Sequence, residues 1–336
     1  MRWLLRLLLL ALMSAATAAG AAWWWLQQPL PMATPTVEVS IEPGLNPRRV
    51  AELWVEAGVK VPPRWLYEWF RWSGRSRQIR AGSYEVETGI TPRDLLDKMV
   101  RGDEVMEVVR FVEGNTVAQM REALARAPAL KPATRALNDA QLMAALGEPN
   151  QPPEGRFFPD TYAYSRGVSD LTVLKRAYAA MQRRLVTAWA ERAGDSPLKS
   201  MDEALILASI VEKETGREAD RGLVAGVFIN RLRIGMPLQT DPTVIYGLGA
   251  AFDGNLRKRD LLADTPFNTY LRKGLPPTPI ALPSAASLKA AVQPAQTRAL
   301  YFVARSDGGG GSIFSESLAD HNRAVNQFQR GGRASP

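Results

Sequence analysis

Residues 205–216 read LILASIVEKETG: an apolar run closed by two glutamates, Glu212 and Glu214. Apolar residues at helical spacing predict a helix over 200–214, buried along its length. At about 100° per residue, Leu207, Ile210, Val211 and Glu214 fall on one side, at i, i+3, i+4 and i+7. Glu212 points nearly opposite. Glu214 therefore continues an apolar stripe. A carboxylate there is partly desolvated, which raises its pKa and keeps it protonated, the state a general acid needs. The bland alternative is a frayed helix end, with Glu214 paired to Lys213, Arg217 or Arg221.

Outward from this helix the pattern stays mixed. Helices are predicted over 169–193 and 218–234, the latter carrying Leu223, Val227, Ile229, Asn230 and Leu232. GRFFPDTYAYSRGVS, ahead of the first, reads as an ordered loop. LQTDPT places Gln239, Thr240 and Asp241 in a loop, and PFNTY adds Asn268, Thr269 and Tyr270. Amides, hydroxyls and aromatic rings of this kind suit sugar hydroxyls, N-acetyl groups and ring faces, although each is also an ordinary turn signal. ALYFVARSDGGGGSIFS predicts two short strands around a glycine turn, and LADHNRAVNQFQ a last helix.

Upstream, a strand, a turn and a helix recur. VEVSIEPGLNPRRVAELWVEAG, GSYEVETGITPRDLLDKMVRG and VVRFVEGNTVAQMREALARA share the plan, with Gly44, Gly89 and Gly114 at the turns. Asn46, Thr91 and Thr116 are the expected helix caps, and Pro47 and Pro92 suit the first helical position. Units this short must pack together, so 34–128 is expected to be a small α+β module. Its first two units resemble a LysM-like carbohydrate-binding module; the alternative is a spacer. Residues 129–153 read as a connector, and 154–336 as a mixed α+β domain holding the site.

The N-terminus sets the compartment. Arg2 and Arg6 precede an uncharged stretch from Leu7 to Trp25, near the roughly 20 residues a membrane-crossing helix needs. Trp23, Trp24 and Trp25 occupy the place of an interfacial aromatic belt, and the flanking arginines put the N-terminus in the cytoplasm. Residues 1–33 are expected to be an anchor and linker, with QQPLPMATPTV lifting the next module off the membrane. AATAAGAA offers the rival reading of a cleaved signal peptide.

Among 336 residues, 42 Lys+Arg stand against 34 Asp+Glu, a formal charge of +8. That balance favours anionic partners such as acidic lipid or wall polymer, or serves solubility alone. No arginine-rich run with interleaved aromatics suggests a nucleic-acid groove. The chain has no cysteine and one histidine, His321. Disulfides, thiol catalysis and Cys-based metal sites are excluded, and a catalytic triad or His metal site would have to use His321. No P-loop, dinucleotide fingerprint or zinc signature is present. Carboxylates are left as the leading acid–base groups, with no metal or cofactor expected.

From Glu154 to Asn322 the segments EGRFFPDTY, LASIVEKET, VFINRLRIGMPLQTDPTVIYGLG, FNTY, GLPPTPIALPSAASLKAA and YFVA…HN occur in order. On these the sequence resembles the MltG (YceG-like) endolytic murein transglycosylases. The resemblance implies a single-pass inner-membrane enzyme with its catalytic domain outside the cytoplasm. Such an enzyme cuts nascent glycan strands internally, beside peptidoglycan synthases, and ends their growth. It implies that Glu214 is catalytic, that Glu212 is supporting, and that Gln239, Thr240, Asp241, Tyr246, Asn268 and Tyr270 bind the GlcNAc/MurNAc chain. The four-glycine run at 308–311 reads as local loop variation. Two competing readings stand: a hydrolytic muramidase with Asp241 as second carboxylate, and a non-enzymatic, membrane-tethered wall-binding scaffold.

Overall fold

The computed structural model describes residues 2–305 and 311–330. The chain forms two compact units, one of residues up to Glu107 with Ala163–Val168, the other of Val108–Tyr162 with Ser169 onward. The fold is mixed α+β, with one N-terminal apolar helix.

The first unit runs α1 (Arg2–Trp25), β1 (Thr36–Ile41), α2 (Pro47–Ala57), α3 (Pro63–Trp72), β2 (Gly82–Glu87) and α4 (Pro92–Arg101). Within α1, Arg6–Trp25 is long and apolar enough to cross a membrane, with a mean hydropathy of 1.7. β1 and β2 pair antiparallel, from Thr36 opposite Glu87 to Ile41 opposite Gly82. Strand alternation turns Val37, Val39 and Ile41 inward onto Trp54, Leu66, Phe70, Tyr84, Leu95 and Met99. The expected caps form: Asn46 accepts from the Arg49 N–H, and Thr91 from the Asp94 N–H. Arg166, in the returning segment, ties it to this unit through Glu38 (2.5 Å) and Glu107 (3.6 Å).

Two features depart from the sequence reading. α3 has no counterpart there. Its sequence, PRWLYEWFRW, opens behind Pro62 and is dominated by aromatics, so the helical period is carried only by Leu66 and Phe70 on the buried face. Residues 26–33 are no free linker. The Leu30 N–H donates to the Ile90 carbonyl (2.7 Å), Ala33 to Gly58 (2.8 Å), and Lys60 to Pro31 (2.7 Å). Leu30 is itself a core residue. An apolar side chain among the prolines finds the core and straps the segment down.

The second unit continues with β3 (Met106–Arg110), α5 (Val117–Arg126), α6 (Asp139–Ala145), β4 (Thr161–Ser165), α7 (Asp170–Ala190), α8 (Met201–Glu214) and α9 (Glu218–Arg233). α10 (Asp241–Leu248), α11 (Lys258–Leu261), α12 (Ala285–Val292), β5 (Tyr301–Ala304), β6 (Ser312–Ser315) and α13 (Leu318–Val325) complete it. β3 pairs with β4 and β5 with β6; the chain passes between the units within β3 and β4. Thr116 closes a capping box with Gln119 on α5. α6 lies inside the expected connector, a helix of 7 residues, too short to show its period in sequence. Except for Gly311, the glycine run at 308–311 lies outside the described residues.

α8 is the centre of this unit. Every residue from Ala204 to Val211 is buried, with α7, α9, α10 and α12 around it. The predicted stripe of Leu207, Ile210 and Val211 is thus part of a helix buried on all sides. Facing alone does not separate the two glutamates; their partners do.

α9 carries a second constraint. Gly222, Gly226 and Asn230 share one face, and the segment 295–299 lies on it. The Ala295 N–H donates to the Gly222 carbonyl (3.0 Å), and the Asn230 amide donates to the carbonyls of Thr297 (2.8 Å) and Ala299 (3.1 Å). A Cβ at Gly226 would stand 2.8 Å from the Ala295 carbonyl oxygen; one at Gly222 would stand 3.3 Å from the Ala295 Cβ. Alanine normally stabilises a helix interior over glycine by about 1 kcal/mol. At Gly226 the overlap with backbone reverses that sign. Gly226→Ala is expected to lose about 1–3 kcal/mol in urea unfolding, while Gly222→Ala stays within about 1 kcal/mol of the parent.

Candidate active site

The C-terminal end of α8 opens into a cleft of about 360 Å³. Glu214 comes from α8, Arg231 from α9, Leu238, Gln239 and Asp241 from the turn into α10, and Tyr270 from the following loop. β5 contributes Tyr301 and Phe302, and α13 contributes Leu318 and His321.

The turn into α10 is held by hydroxyls. The Gln239 N–H donates to the Thr269 carbonyl (3.1 Å), and the Thr240 N–H to Thr269 Oγ1 (3.1 Å). Thr243 Oγ1 lies 2.8 Å from Thr269 Oγ1 and donates to the Thr240 carbonyl (2.8 Å). Gln239 takes φ 48°, a left-handed backbone uncommon for a residue with a Cβ. Such conformations persist where surrounding bonds over-determine them, and they concentrate at functional sites. The result is that Thr240, only 2% exposed, donates its hydroxyl to Glu214 Oε1.

Glu214 is partly open to the cleft and otherwise enclosed. Burial raises its pKa above the ordinary carboxylate value; the Thr240 hydrogen bond opposes this, nearby Asp241 adds to it and Arg231 counters it. Asp241 Oδ1 accepts from the Tyr270 hydroxyl at 2.6 Å. Burial, then that bond, push the Tyr270 pKa up. Arg231 is committed inward: it donates to the carbonyls of Leu300 and Leu238, both at 2.7 Å, under the Tyr301 ring. The His321 ring stacks on Tyr301 with centroids 5.3 Å apart. Its pKa is lowered by burial and by Arg231.

Glu212 goes the other way. Its Oε2 accepts from the Ser284 N–H (2.9 Å) and hydroxyl (2.5 Å), and Ser284 caps α12. It fastens α12 to α8 and does not line the cleft.

Of the residues singled out in the sequence, Glu214, Gln239, Asp241 and Tyr270 line the cleft together, and Thr240 touches Glu214 from behind. Asn268 and Tyr246 do not line it. Asn268 is fully buried; its amide donates to the carbonyls of Leu261 (3.0 Å) and Ala263 (2.7 Å), and its Oδ1 accepts from the Tyr270 N–H (2.9 Å). It shapes the loop that presents Tyr270. The Tyr246 hydroxyl donates to Glu154 Oε2 at 3.1 Å. Arg231, Tyr301, Phe302 and His321 were not anticipated as cleft residues. They are distant in sequence; all four lie in segments that carry the family resemblance, VFINRLRIG and YFVA…HN, but nothing local marks them as neighbours of Glu214.

The profile of the YceG-like family matches residues 39–327. The chain belongs to that family. A Bacillus subtilis (strain 168) protein named endolytic murein transglycosylase is 29% identical over 310 residues, covering 87% of this chain and 85% of that protein. A Streptococcus pneumoniae protein (strain D39) of the same name is 26% identical, over 86% of this chain and 58% of its own length. The crystal structure of a yceG-like protein from Listeria monocytogenes superposes with a TM-score of 0.56 at 27% identity, covering 86% of this chain and 99% of that one.

Outside the cleft, this YceG-like chain also buries the carboxylate of Glu154. It accepts from the Val117 N–H (3.0 Å) and from Tyr246, and burial raises its pKa from 4.5 to about 7. Between those values the unfolded chain has lost a proton that the folded chain keeps. Stability contributed by Glu154 is therefore greatest below pH 4.5 and falls as pH rises to 7, by up to about 3 kcal/mol. Urea unfolding of Glu154→Gln at pH 5, 6, 7 and 8 is expected to lack that fall.

Proposed function

We propose that this chain is an endolytic murein transglycosylase. It cleaves the MurNAc–GlcNAc β-1,4 bond within nascent peptidoglycan strands, leaves 1,6-anhydroMurNAc ends and ends strand growth. The observation that carries the mechanism is Glu214: a carboxyl at a cleft wall, its pKa raised by burial, one oxygen already occupied by Thr240. Membership of the YceG-like family, with relatives named for this activity, supports the reaction class.

With Oε1 held by Thr240, Oε2 is free to carry the acid proton. Glu214 protonates the glycosidic oxygen as the bond to MurNAc C1 breaks. The resulting carboxylate takes the proton of the MurNAc C6 hydroxyl, and O6 bonds to C1. The 1,6-anhydro ring closes and Glu214 regains its proton; no water is consumed. One carboxyl serves both steps, in contrast to the two of a hydrolase. Tyr270 and Tyr301 offer aromatic faces for sugar rings, and Gln239 an amide for hydroxyl or N-acetyl groups. Tyr246 and Asn268 act on the substrate only by shaping α10 and the Tyr270 loop.

α1 is the single-pass anchor in the inner membrane, N-terminus in the cytoplasm, since Arg2 precedes the span and Arg6 stands at its N-terminal end. The β1–α2–α3–β2 order, with its antiparallel strand pair, supports a LysM-like module beside it. Peptidoglycan synthases are the partners that termination of growing strands would require.

Asp241, in the same cleft, keeps a hydrolytic muramidase as the second reading. Digestion of uncrosslinked glycan strands, followed by mass spectrometry, separates the two: anhydro ends support transglycosylation, reducing ends hydrolysis. Glu214→Gln is expected to lower the rate at least about 10² to 10⁴-fold; cleavage near the parent rate would remove Glu214 from the mechanism. Thr240→Val deletes a bond that favours the ionised form. Glu214 then keeps its proton to higher pH, and the alkaline limb of the kcat/KM profile moves up.

A further inference from the structure

α3 presents apolar surface on two sides. Leu66 and Phe70 face the core of the first unit. Trp65, Glu68, Trp69 and Trp72 lie at i, i+3, i+4 and i+7, on another side. Trp65 is 53% and Trp72 79% exposed. A helix with one face in a core and the other in water carries a polar outer face. Here the outer face is aromatic, flanked by exposed Arg64 and Arg71, the latter 3.7 Å from Glu68. Contiguous exposed apolar surface of this kind marks an interaction site.

The same face meets the end of α1. The Trp25 and Trp65 rings pack edge to face, with centroids 5.7 Å apart. Between α1 and α3 runs a groove of about 490 Å³, lined by Trp25, Trp65, Glu68, Trp69 and Trp72. Trp23 and Trp24, also more than 60% exposed, continue the aromatic surface onto α1. Leu30 is fixed in the core. Five residue steps from Trp25 to Leu30 span at most about 18 Å, and the strapping of residues 30–33 removes slack.

We propose that the α3 face is a membrane-docking surface, with Trp65 and Trp72 seated in the lipid headgroup region beside the C-terminal end of α1, and with Trp69 as its fixed floor, its indole N–H given to the Pro92 carbonyl at 2.9 Å. This rests on the reading of α1 as a membrane span. A span over Arg6–Trp25 puts Trp25 at the bilayer boundary, and the Trp25–Trp65 contact brings α3 to the same level. Tryptophan prefers that level, where its ring is apolar and its N–H finds water or headgroup oxygens. Arg64 and Arg71 are placed to meet phosphates, and a helix lying in the interface plane is an established way to use such a face. The occupant is the bilayer that α1 spans. The anchor and α3 together then fix the tilt of the first unit, which a single span cannot do.

The chain has no cysteine, so one introduced thiol gives one label site. The full chain is reconstituted in protein-free bilayers of phosphatidylcholine and phosphatidylglycerol, spin-labelled at Met13→Cys or at Glu68→Cys. Collision with oxygen and with an aqueous nickel complex reports depth. The label at 13 is expected in the hydrocarbon. The label at 68 is expected to lose collisions with the nickel complex severalfold relative to water, and to regain them in Trp65→Ser/Trp72→Ser. If the label at 13 is in lipid but that at 68 collides freely with nickel, the anchor stands and the docking proposal fails, leaving the face to a protein partner. If the label at 13 is in water, the span reading fails and the proposal with it. Shielding at 68 that survives the double substitution would also overturn it, because the tryptophans would not be the cause.

Discussion

The second unit is organised by the burial of α8 on every side. A helix with no solvent face has no place to send polar groups until it ends, and its last turn carries two carboxylates. Each must be met by a donor from the surrounding layers. Ser284 meets Glu212 with a backbone N–H and a hydroxyl at the start of α12. Thr240 meets Glu214 with one hydroxyl at the start of α10. The difference between two and one is chemical. Both Ser284 donors go to one Glu212 oxygen and tie it to α12, whereas Glu214 is held by a single hydroxyl and borders the open cleft.

The opposite wall of the cleft depends on α9. Its small residues let segment 295–299 approach closely, and Asn230 and Arg231 capture the carbonyls of Thr297, Ala299 and Leu300 just ahead of β5. Tyr301 and Phe302 thereby face Glu214. Arg231 also holds Leu238, so one buried cation sets both the aromatic wall and the turn that delivers Thr240. Its hydrogen bonds go to backbone carbonyls, and Glu214 feels its charge without pairing directly with it.

Much of this was legible in sequence where local rules dominate. The strand–turn–helix repeats, their caps, the long helices and the β5–β6 pair follow from period and turn chemistry. Glu214 stood out by its place behind an apolar run. What escaped was tertiary. α3 was hidden because aromatics all round the helix mask the period that Leu66 and Phe70 carry. Tyr246 and Asn268 look like sugar-binding groups in a list of residues, but Glu154 and the loop carbonyls claim their polar atoms. Arg231, Tyr301 and His321 meet only through packing across many residues of chain. Glu154 gave no sign of burial, since the loop that covers it has no period to read.

The first unit is not continuous in sequence. Ala163–Val168 belongs to it, and Arg166 supplies the cation between Glu38 and Glu107. Chains emerge from the ribosome in order, and N-terminal domains usually fold first. Here the core of the first unit, Leu30 to Met99, lies wholly in the earlier residues, while the cation for Glu38 and Glu107 comes from a later stretch of chain. A fragment ended at Glu107 therefore keeps the whole core and loses only the Arg166 ion pairs at its edge.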